Sequence, residues 1–211
     1  MKLYSLDESP FAARVRIQAY VKDIPLDILP PPGGLGSDEL RQLTPLGRIP
    51  VLALQDMIIV ESQVIQEYLE DKFPEPGLRG DSPEQAARIR MLRRITDLYL
   101  IPCLLPLRAR LKGKTGSQES LADNVESLRS TLATLNHFMS DGPFAATQTL
   151  SLADCSLAPV FFYVDHFATA LGIDLKLNAL TRFYAWTKHI AKDAAVNRVL
   201  DEMRNAVQQK R

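Results

Sequence analysis

The apolar positions of the first 80 residues alternate between short runs and stretches with helical spacing. The short runs predict β-strands: KLYSL, IPLDIL, IPVLAL and MIIV. The stretches with helical spacing predict helices at residues 10–21, 37–43 and 61–72. The predicted order is therefore β-α-β-α-β-β-α, which is typical of a small α/β domain.

Local signals support two of these helices. Ser37 comes directly before the second helix and is a suitable N-cap residue. The third helix is amphipathic, and we expect Val64, Ile65, Tyr68 and Leu69 to share its buried face.

The chain changes character after FPEPGLRGD, residues 73–81, which holds two prolines and two glycines. In DSPEQ, Ser82 is a good N-cap, Pro83 suits the first helical position, and Gln85 predicts a capping box. We therefore expect one domain at residues 1–76, a linker at 77–81 and a second domain at 82–211.

Helical spacing is the signal throughout the second domain. The predicted helices are residues 86–111, 121–139, 151–171, 180–190 and 194–207. Pro102 and Pro106 interrupt the first of them, so we expect it to bend there. The third is the most apolar and predicts a central buried helix.

Composition limits the classes of function. The 25 basic residues balance the 25 acidic ones, which argues against a nucleic-acid or membrane-surface role. The segment MKLYSLDESP has no apolar run of the kind a signal peptide needs, and no apolar stretch in the chain is long enough for a membrane span. Cys103 and Cys155 form no CxxC pair, so we expect two buried thiols, no metal site and a cytoplasmic location.

Four segments, in this order, resemble the cytosolic glutathione transferase superfamily. They are SPFAARVRI at 9–17, TPLGRIPVLAL at 44–54, VESQVIQEYLED at 60–71 and SLADCSLAP at 151–159. Together they span most of the chain and are most similar to the serine-type members, such as the tau and zeta classes, and to the omega class. The resemblance implies a thioredoxin-like, glutathione-binding domain followed by an all-helical domain that forms the second-substrate site.

Ser9 has two interpretations. It precedes Pro10, so it is a natural N-cap for the first helix. A helix N-terminus also favours an anion, and the resemblance implies that the Ser9 hydroxyl donates a hydrogen bond to the glutathione thiolate. Ser5 and Tyr4 are the alternative donors. The cysteine-type classes carry a thiol where this chain has Ser9, which argues against mixed-disulfide chemistry.

The resemblance also implies how the ligand is held. A cis peptide bond before Pro50 would present the backbone of Ile49 to the cysteinyl part of glutathione, as an added strand. Arg48 would pair with the glycyl carboxylate. Ser62 would bind the glutamyl α-carboxylate at a helix N-terminus, and Glu61 would hold the α-amino group.

A second-substrate pocket is expected near the bend of the long helix. The residues predicted to line it are Phe11, Tyr99, Pro102, Cys103 and Pro106.

Ser151 and Asp154 are predicted to be structural, since Ser-x-x-Asp is a capping-box variant. Replacing Asp154 by alanine would then cost about 1 kcal/mol of stability, the usual contribution of a cap.

The implied activity is glutathione transfer in detoxification, with glutathione as co-substrate, no metal and a small hydrophobic electrophile. Members of this superfamily imply a homodimer, joined through the helix at 61–72 and the first half of the helix at 86–111. Two other functions stay open: glutathione-dependent cis-trans isomerisation, as in maleylacetoacetate isomerases, and a binding or regulatory protein without catalysis. The sequence does not identify the electrophile.

Overall fold

The computed structural model describes residues 1–113 and 120–209. Its N-terminal part contains a four-stranded sheet in the order β2-β1-β3-β4. The strands are β1 (Lys2–Tyr4), β2 (Asp27–Leu29), β3 (Val51–Ala53) and β4 (Ile58–Val60). β1 pairs parallel with β2 and antiparallel with β3, and β4 completes an antiparallel hairpin with β3.

The helices of this part agree with the predicted order. They are α1 (Pro10–Val21), α2 (Asp38–Leu43) and α3 (Ser62–Lys72). Ser37 caps α2 as predicted, because its hydroxyl accepts a hydrogen bond from the backbone N–H of Leu40 at 3.1 Å.

One face of the sheet packs against α1 and α3. Alternation along the strands buries Leu3 and Leu52 on this face, and they join Val15 of α1 and Ile65 of α3 in one apolar core. The predicted buried face of α3 is wrong at Val64, which is 54% exposed. Polar residues of α3 are buried in the interior instead.

The remaining elements are helical. They are α4 (Pro83–Ile95), a π-helical segment (Thr96–Leu100), α5 (Ile101–Leu111), α6 (Leu121–Phe138), α7 (Leu152–Leu171), a 3₁₀ turn (Leu177–Ala179), α8 (Thr181–Ile190) and α9 (Ala194–Gln209). None of the helices in residues 1–113 and 120–209 combines the length and apolar character needed to cross a bilayer.

The long helix predicted at 86–111 is interrupted, but the interruption is the π-helical segment that ends before Pro102. Pro106 lies inside α5 without breaking it. At the start of α4, the Ser82 hydroxyl accepts from the N–H of Gln85 at 3.2 Å. The side chain of Gln85 accepts from the N–H of Asp81 instead of Ser82, so the reciprocal capping box is not formed.

The packing divides the chain into two compact units. The first is Met1–Leu78 together with the C-terminal segment from Asp193 onward, and the second is Arg79–Lys192. Within the first unit α9 packs against α1. The predicted domain boundaries assigned this last helix to the all-helical part. Its contacts with α1 instead place it in the unit that contains the sheet.

Candidate functional site

The register of the sheet brings three chain segments to one end. Tyr4 pairs with Val51, and Val51 pairs with Val60. The chain therefore leaves β1 toward α1, enters β3, and leaves β4 toward α3 at the same end of the sheet. The N-termini of α1 and α3 both lie after these strand ends, so their dipoles favour negative charge in this region.

Ser9 is the N-cap of α1. Its hydroxyl accepts a hydrogen bond from the N–H of Ala12 at 3.2 Å, and its own N–H closes a turn on the carbonyl of Leu6 at 3.0 Å. A hydroxyl that accepts one hydrogen bond still has its proton to donate. Helix capping and hydrogen bonding to a ligand thiolate are therefore compatible roles for Ser9.

The segment that enters β3 presents free backbone. The Ile49–Pro50 peptide bond is cis, Pro50 is buried and Ile49 is half-buried. Within residues 1–113 and 120–209, no hydrogen bond is formed by the N–H or the C=O of Ile49. Both groups can pair with an extended ligand. Arg48, before them, is exposed.

Glu61 has a strained backbone. Its φ of 66° and ψ of 112° are rare for a residue with a side chain. Such strain costs about 1–3 kcal/mol and is found preferentially at ligand-binding and catalytic positions. Here it allows a sharp change of direction from β4 into α3.

Ser62 is the first residue of α3 and is 5% exposed. A nearly buried hydroxyl at a helix N-terminus, next to unpaired backbone N–H groups, is suited to bind a carboxylate.

The two alternative thiolate donors occupy different environments. Ser5 is buried, and its hydroxyl accepts from Nη1 of Arg16 at 3.4 Å, which favours a structural role. Tyr4 lies within β1 and lines an open concavity of about 810 Å³ with Leu43 and Ile58. None of the predicted glutathione-binding residues borders that concavity, so we place the candidate site at the sheet end and not there.

The predicted second-substrate residues fall in both units. Phe11 is exposed on α1, with the guanidinium of Arg14 5.1 Å from its ring centroid. The others lie in the second unit on one helical face, by their spacing: Tyr99, Pro102, Cys103 and Pro106.

Cys103 is half-buried rather than buried as predicted, because it lies on this partly exposed face. Its thiol donates to the carbonyl of Tyr99 at 3.1 Å. Cys155 is buried, in agreement with the prediction.

The carboxylate of Asp154 in the second unit accepts four hydrogen bonds. Its Oδ2 accepts from the N–H and the hydroxyl of Ser151 at 2.9 and 2.7 Å. Its Oδ1 accepts from the N–H of Ala145 and from Nε1 of Trp186, both at 2.8 Å. Burial raises the pKa of Asp154, and the hydrogen bonds oppose this effect. The sequence did not indicate the bond to Trp186.

A buried polar network joins α1 to α3. Nε2 of Gln18 donates to Glu70 at 2.9 Å and to the carbonyl of Gln66 at 3.0 Å. Nε2 of Gln66 returns a hydrogen bond to the carbonyl of Arg14 at 3.0 Å. The network sets the position of the two helices whose N-termini carry Ser9 and Ser62. The four-residue spacing of Ser62, Gln66 and Glu70 is the sequence signal that could have revealed it.

Two family models match most of the chain. The N-terminal domain model of glutathione S-transferases matches residues 3–77, and the C-terminal domain model matches residues 118–189. The chain belongs to the glutathione S-transferase family. The first match contains every predicted glutathione-binding residue, and the second contains Ser151 and Asp154.

Individual relatives differ in their names. The chain is 27% identical over 203 residues to a stringent starvation protein A homolog of Coxiella burnetii, covering 96% of this chain and 92% of that protein. It is 29% identical over 199 residues to a probable maleylacetoacetate isomerase 2 of Drosophila melanogaster, covering 87% and 86%. The crystal structure of glutathione transferase F7 from Populus trichocarpa superposes with a TM-score of 0.78 at 25% identity, covering 96% of this chain and 98% of that one.

The family binds glutathione as a substrate, and a ligand with carboxylates is compatible with the two helix N-termini at the sheet end. Residues 1–113 and 120–209 contain no group of three or more histidine, cysteine, aspartate or glutamate side chains placed to hold a metal ion. The roles of Ser9, Arg48, Ile49, Pro50, Glu61 and Ser62 stay predictions.

Proposed function

We propose that this protein is a glutathione transferase of the serine type, in which Ser9 stabilises the thiolate of bound glutathione. The observation that carries the proposal is the sheet register, which gathers the N-cap of α1, the unpaired backbone of Ile49 and the strained start of α3 at one end. Two helix N-termini and a free backbone edge suit a peptide with a carboxylate and a thiol.

Ser9 would act by lowering the pKa of the glutathione thiol. A free thiol titrates near about 8.5, and a helix N-terminus with a hydroxyl donor lowers that value. A shift of about two units is worth roughly 2.7 kcal/mol in favour of the thiolate. The thiolate sulfur then attacks an electrophilic carbon, forming an S–C bond while the electron pair moves to the leaving group or acceptor.

The remaining predicted residues would bind the ligand. Ser62 and the N–H groups of α3 take the glutamyl α-carboxylate, and Glu61 takes the α-amino group. The backbone of Ile49 pairs with the cysteinyl residue, and Arg48 with the glycyl carboxylate. A hydrophobic electrophile would contact the apolar second-substrate residues, an assignment that rests on the sequence.

The test is an ultraviolet pH titration of bound glutathione, following thiolate absorbance in the wild type and in Ser9→Ala. We expect the wild type to ionise the bound thiol well below its free value and Ser9→Ala to lose most of that shift. Ser37→Ala is a matched control, because Ser37 caps α2 with the same geometry as Ser9 caps α1.

Each other result has a defined meaning. If glutathione binds and Ser9→Ala ionises it as the wild type does, the donor is another group, with Ser5 and Tyr4 next in line. If glutathione does not bind, Ser9 is only a helix cap and the protein is a non-catalytic member of its family. Retention of the protein on immobilised glutathione shows directly whether it binds glutathione.

Glutathione-dependent isomerisation is the second candidate, favoured by the relative named as a probable maleylacetoacetate isomerase. In that reaction the thiol adds, a double bond rotates and the thiol leaves, so glutathione is returned unchanged. Counting free thiols before and after turnover distinguishes it from conjugation, which consumes them.

We also propose that the protein forms a homodimer and is located in the cytoplasm.

A further inference from the structure

Arg16 is a charged residue in the middle of a buried helix. Its side chain is fully buried on α1, between apolar neighbours Val15 and Ile17. Burying a guanidinium costs several kcal/mol unless its charge and its N–H groups are matched by partners. The partners of Arg16 therefore indicate which parts of the first unit it holds.

On one side Arg16 holds the segment that presents Ser9. Nη1 contacts the hydroxyl of Ser5 at 3.4 Å and the carboxylate of Asp7, and Nη2 donates to the backbone carbonyl of Asp7 at 2.8 Å. Asp7 lies in the turn that the N–H of Ser9 closes on the carbonyl of Leu6. The guanidinium thus fastens both the start and the middle of the link between β1 and Ser9.

On its other side Arg16 meets α9. Nε lies 3.5 Å from Oε2 of Glu202, close enough for an ion pair although the two atoms are not aligned for a hydrogen bond. Oε1 of Glu202 accepts from the hydroxyl of Tyr20 at 3.2 Å and lies 3.4 Å from Nε of Arg198. The guanidinium of Arg198 also lies over the Tyr20 ring at 3.8 Å.

The charges in this cluster balance, since two arginines face Asp7 and Glu202. Burial and the Glu202 carboxylate raise the pKa of Tyr20, so its hydroxyl stays protonated and donates to Glu202. The ion pair between Arg16 and Glu202 and the hydrogen bonds of Asp7 and Tyr20 link α9 to the loop before Ser9, which makes the cluster suitable for holding that loop in place.

We propose that Arg16 and Glu202 are positioning residues for Ser9: the C-terminal helix α9, through Glu202, holds Arg16 against the turn that aims the Ser9 hydroxyl. This inference rests on the proposed function, because it assigns the device to the group that stabilises the thiolate. Glu61 and Ser62 bind the glutamyl end of the ligand from a different helix. Loss of Glu202 therefore weakens ionisation of the bound thiol without weakening the binding of glutathione whose thiol is protonated.

The test compares the wild type, Glu202→Gln and Asp201→Asn in the thiolate titration, with the glutathione Kd and the melting temperature measured in parallel. Asp201 is the neighbouring acid of α9, its side chain is half-exposed, and it pairs with Arg204 instead of Arg16, so it is a matched control. We expect Glu202→Gln to raise the pKa of the bound thiol by about half a unit or more, roughly a three-fold loss of thiolate below that pKa. Its Kd, measured below the pKa of the bound thiol, where ionisation does not contribute to binding, should stay within about two-fold, and Asp201→Asn should behave as the wild type.

Glu202→Asp, which keeps the carboxylate, should recover part of the shift. If Glu202→Gln does not fold, Tyr20→Phe replaces it, since this change removes one hydrogen bond to Glu202 and keeps every charge; a smaller rise of the thiol pKa is expected.

Two results would overturn the inference while the proposed function survives. The first is a lowered thiol pKa that is equal in the wild type and Glu202→Gln. The second is a Glu202→Gln variant that loses glutathione affinity and thermal stability but ionises the bound fraction normally. Failure of the wild type to bind glutathione, or to lower its thiol pKa, contradicts the proposed function itself.

Discussion

Asp154 shows how much a single residue can contribute beyond its local role. As a helix cap alone it would contribute about 1 kcal/mol. In the structure its carboxylate also accepts from the N–H of Ala145 and from Nε1 of Trp186, and all of these groups are buried. Its removal leaves several buried donors without partners, at about 1–3 kcal/mol each.

We therefore predict that Asp154→Ala lowers the free energy of unfolding by at least about 3 kcal/mol, well above the value expected from a cap. Denaturant unfolding of the two proteins measures this difference. Asp123→Ala is the control, because Asp123 forms a capping box with Ser120 at the start of α6 but is exposed. Its loss should be much smaller, and equal losses would show that the contacts to Ala145 and Trp186 contribute nothing.

At the scale of elements, Lys22 ties the end of α1 to α3 and to the chain that follows it. Its Nζ lies 3.1 Å from Oε1 of Glu70 and donates to the carbonyl of Phe73 at 2.8 Å, and both charged side chains are buried. The other oxygen of Glu70 accepts from the N–H of Leu78 at 3.0 Å. The buried ion pair thus fixes the path of the chain after the C-terminal end of α3.

Lys22→Met should lower the free energy of unfolding by about 3–5 kcal/mol, because it leaves the Glu70 carboxylate buried without a cation. Lys72→Met, at the exposed end of α3, should change it by no more than about 0.5 kcal/mol. Denaturant midpoints of both variants test the difference. A loss for Lys22→Met as small as that for Lys72→Met would mean that water reaches Glu70.

At the scale of the whole molecule, we propose that two copies of the chain associate into a homodimer. The 25 basic and 25 acidic residues cancel, so net charge does not oppose the pairing of two copies. The helices predicted to form the interface expose apolar side chains, Val64 on α3 and Met91 on α4. In the proposed homodimer a second copy would cover these two side chains.

We predict a solution mass of twice the 23.6 kDa of one chain, measured by light scattering, and a shift toward one chain in Met91→Glu. Leu111→Glu is the control, because Leu111 is an exposed apolar residue at the end of α5, outside the predicted interface. A wild type with the mass of a single chain would contradict the homodimer. Dissociation by both variants would place the interface elsewhere.

Local interactions made much of this fold predictable. Helix α1 begins and ends where the sequence predicts, because Ser9, Pro10 and the helical spacing act on neighbouring residues. The hairpin, the cap of α2 and the buried α7 follow from similarly local signals. The candidate site residues came from the resemblance to a family, since a serine before a proline is by itself an ordinary helix start.

Only the tertiary structure decided which polar groups are buried. Periodicity assigned Val64 to the core, whereas Gln66 and Glu70 occupy the interior. Groups of α1 satisfy their side chains, because Gln66 donates to the carbonyl of Arg14 and Glu70 accepts from Gln18. Arg16 lies near the start of the chain and Glu202 near its end, and no local pattern predicts that they meet. A charge can be buried only where its partners also lie, and the topology of the whole chain determines that.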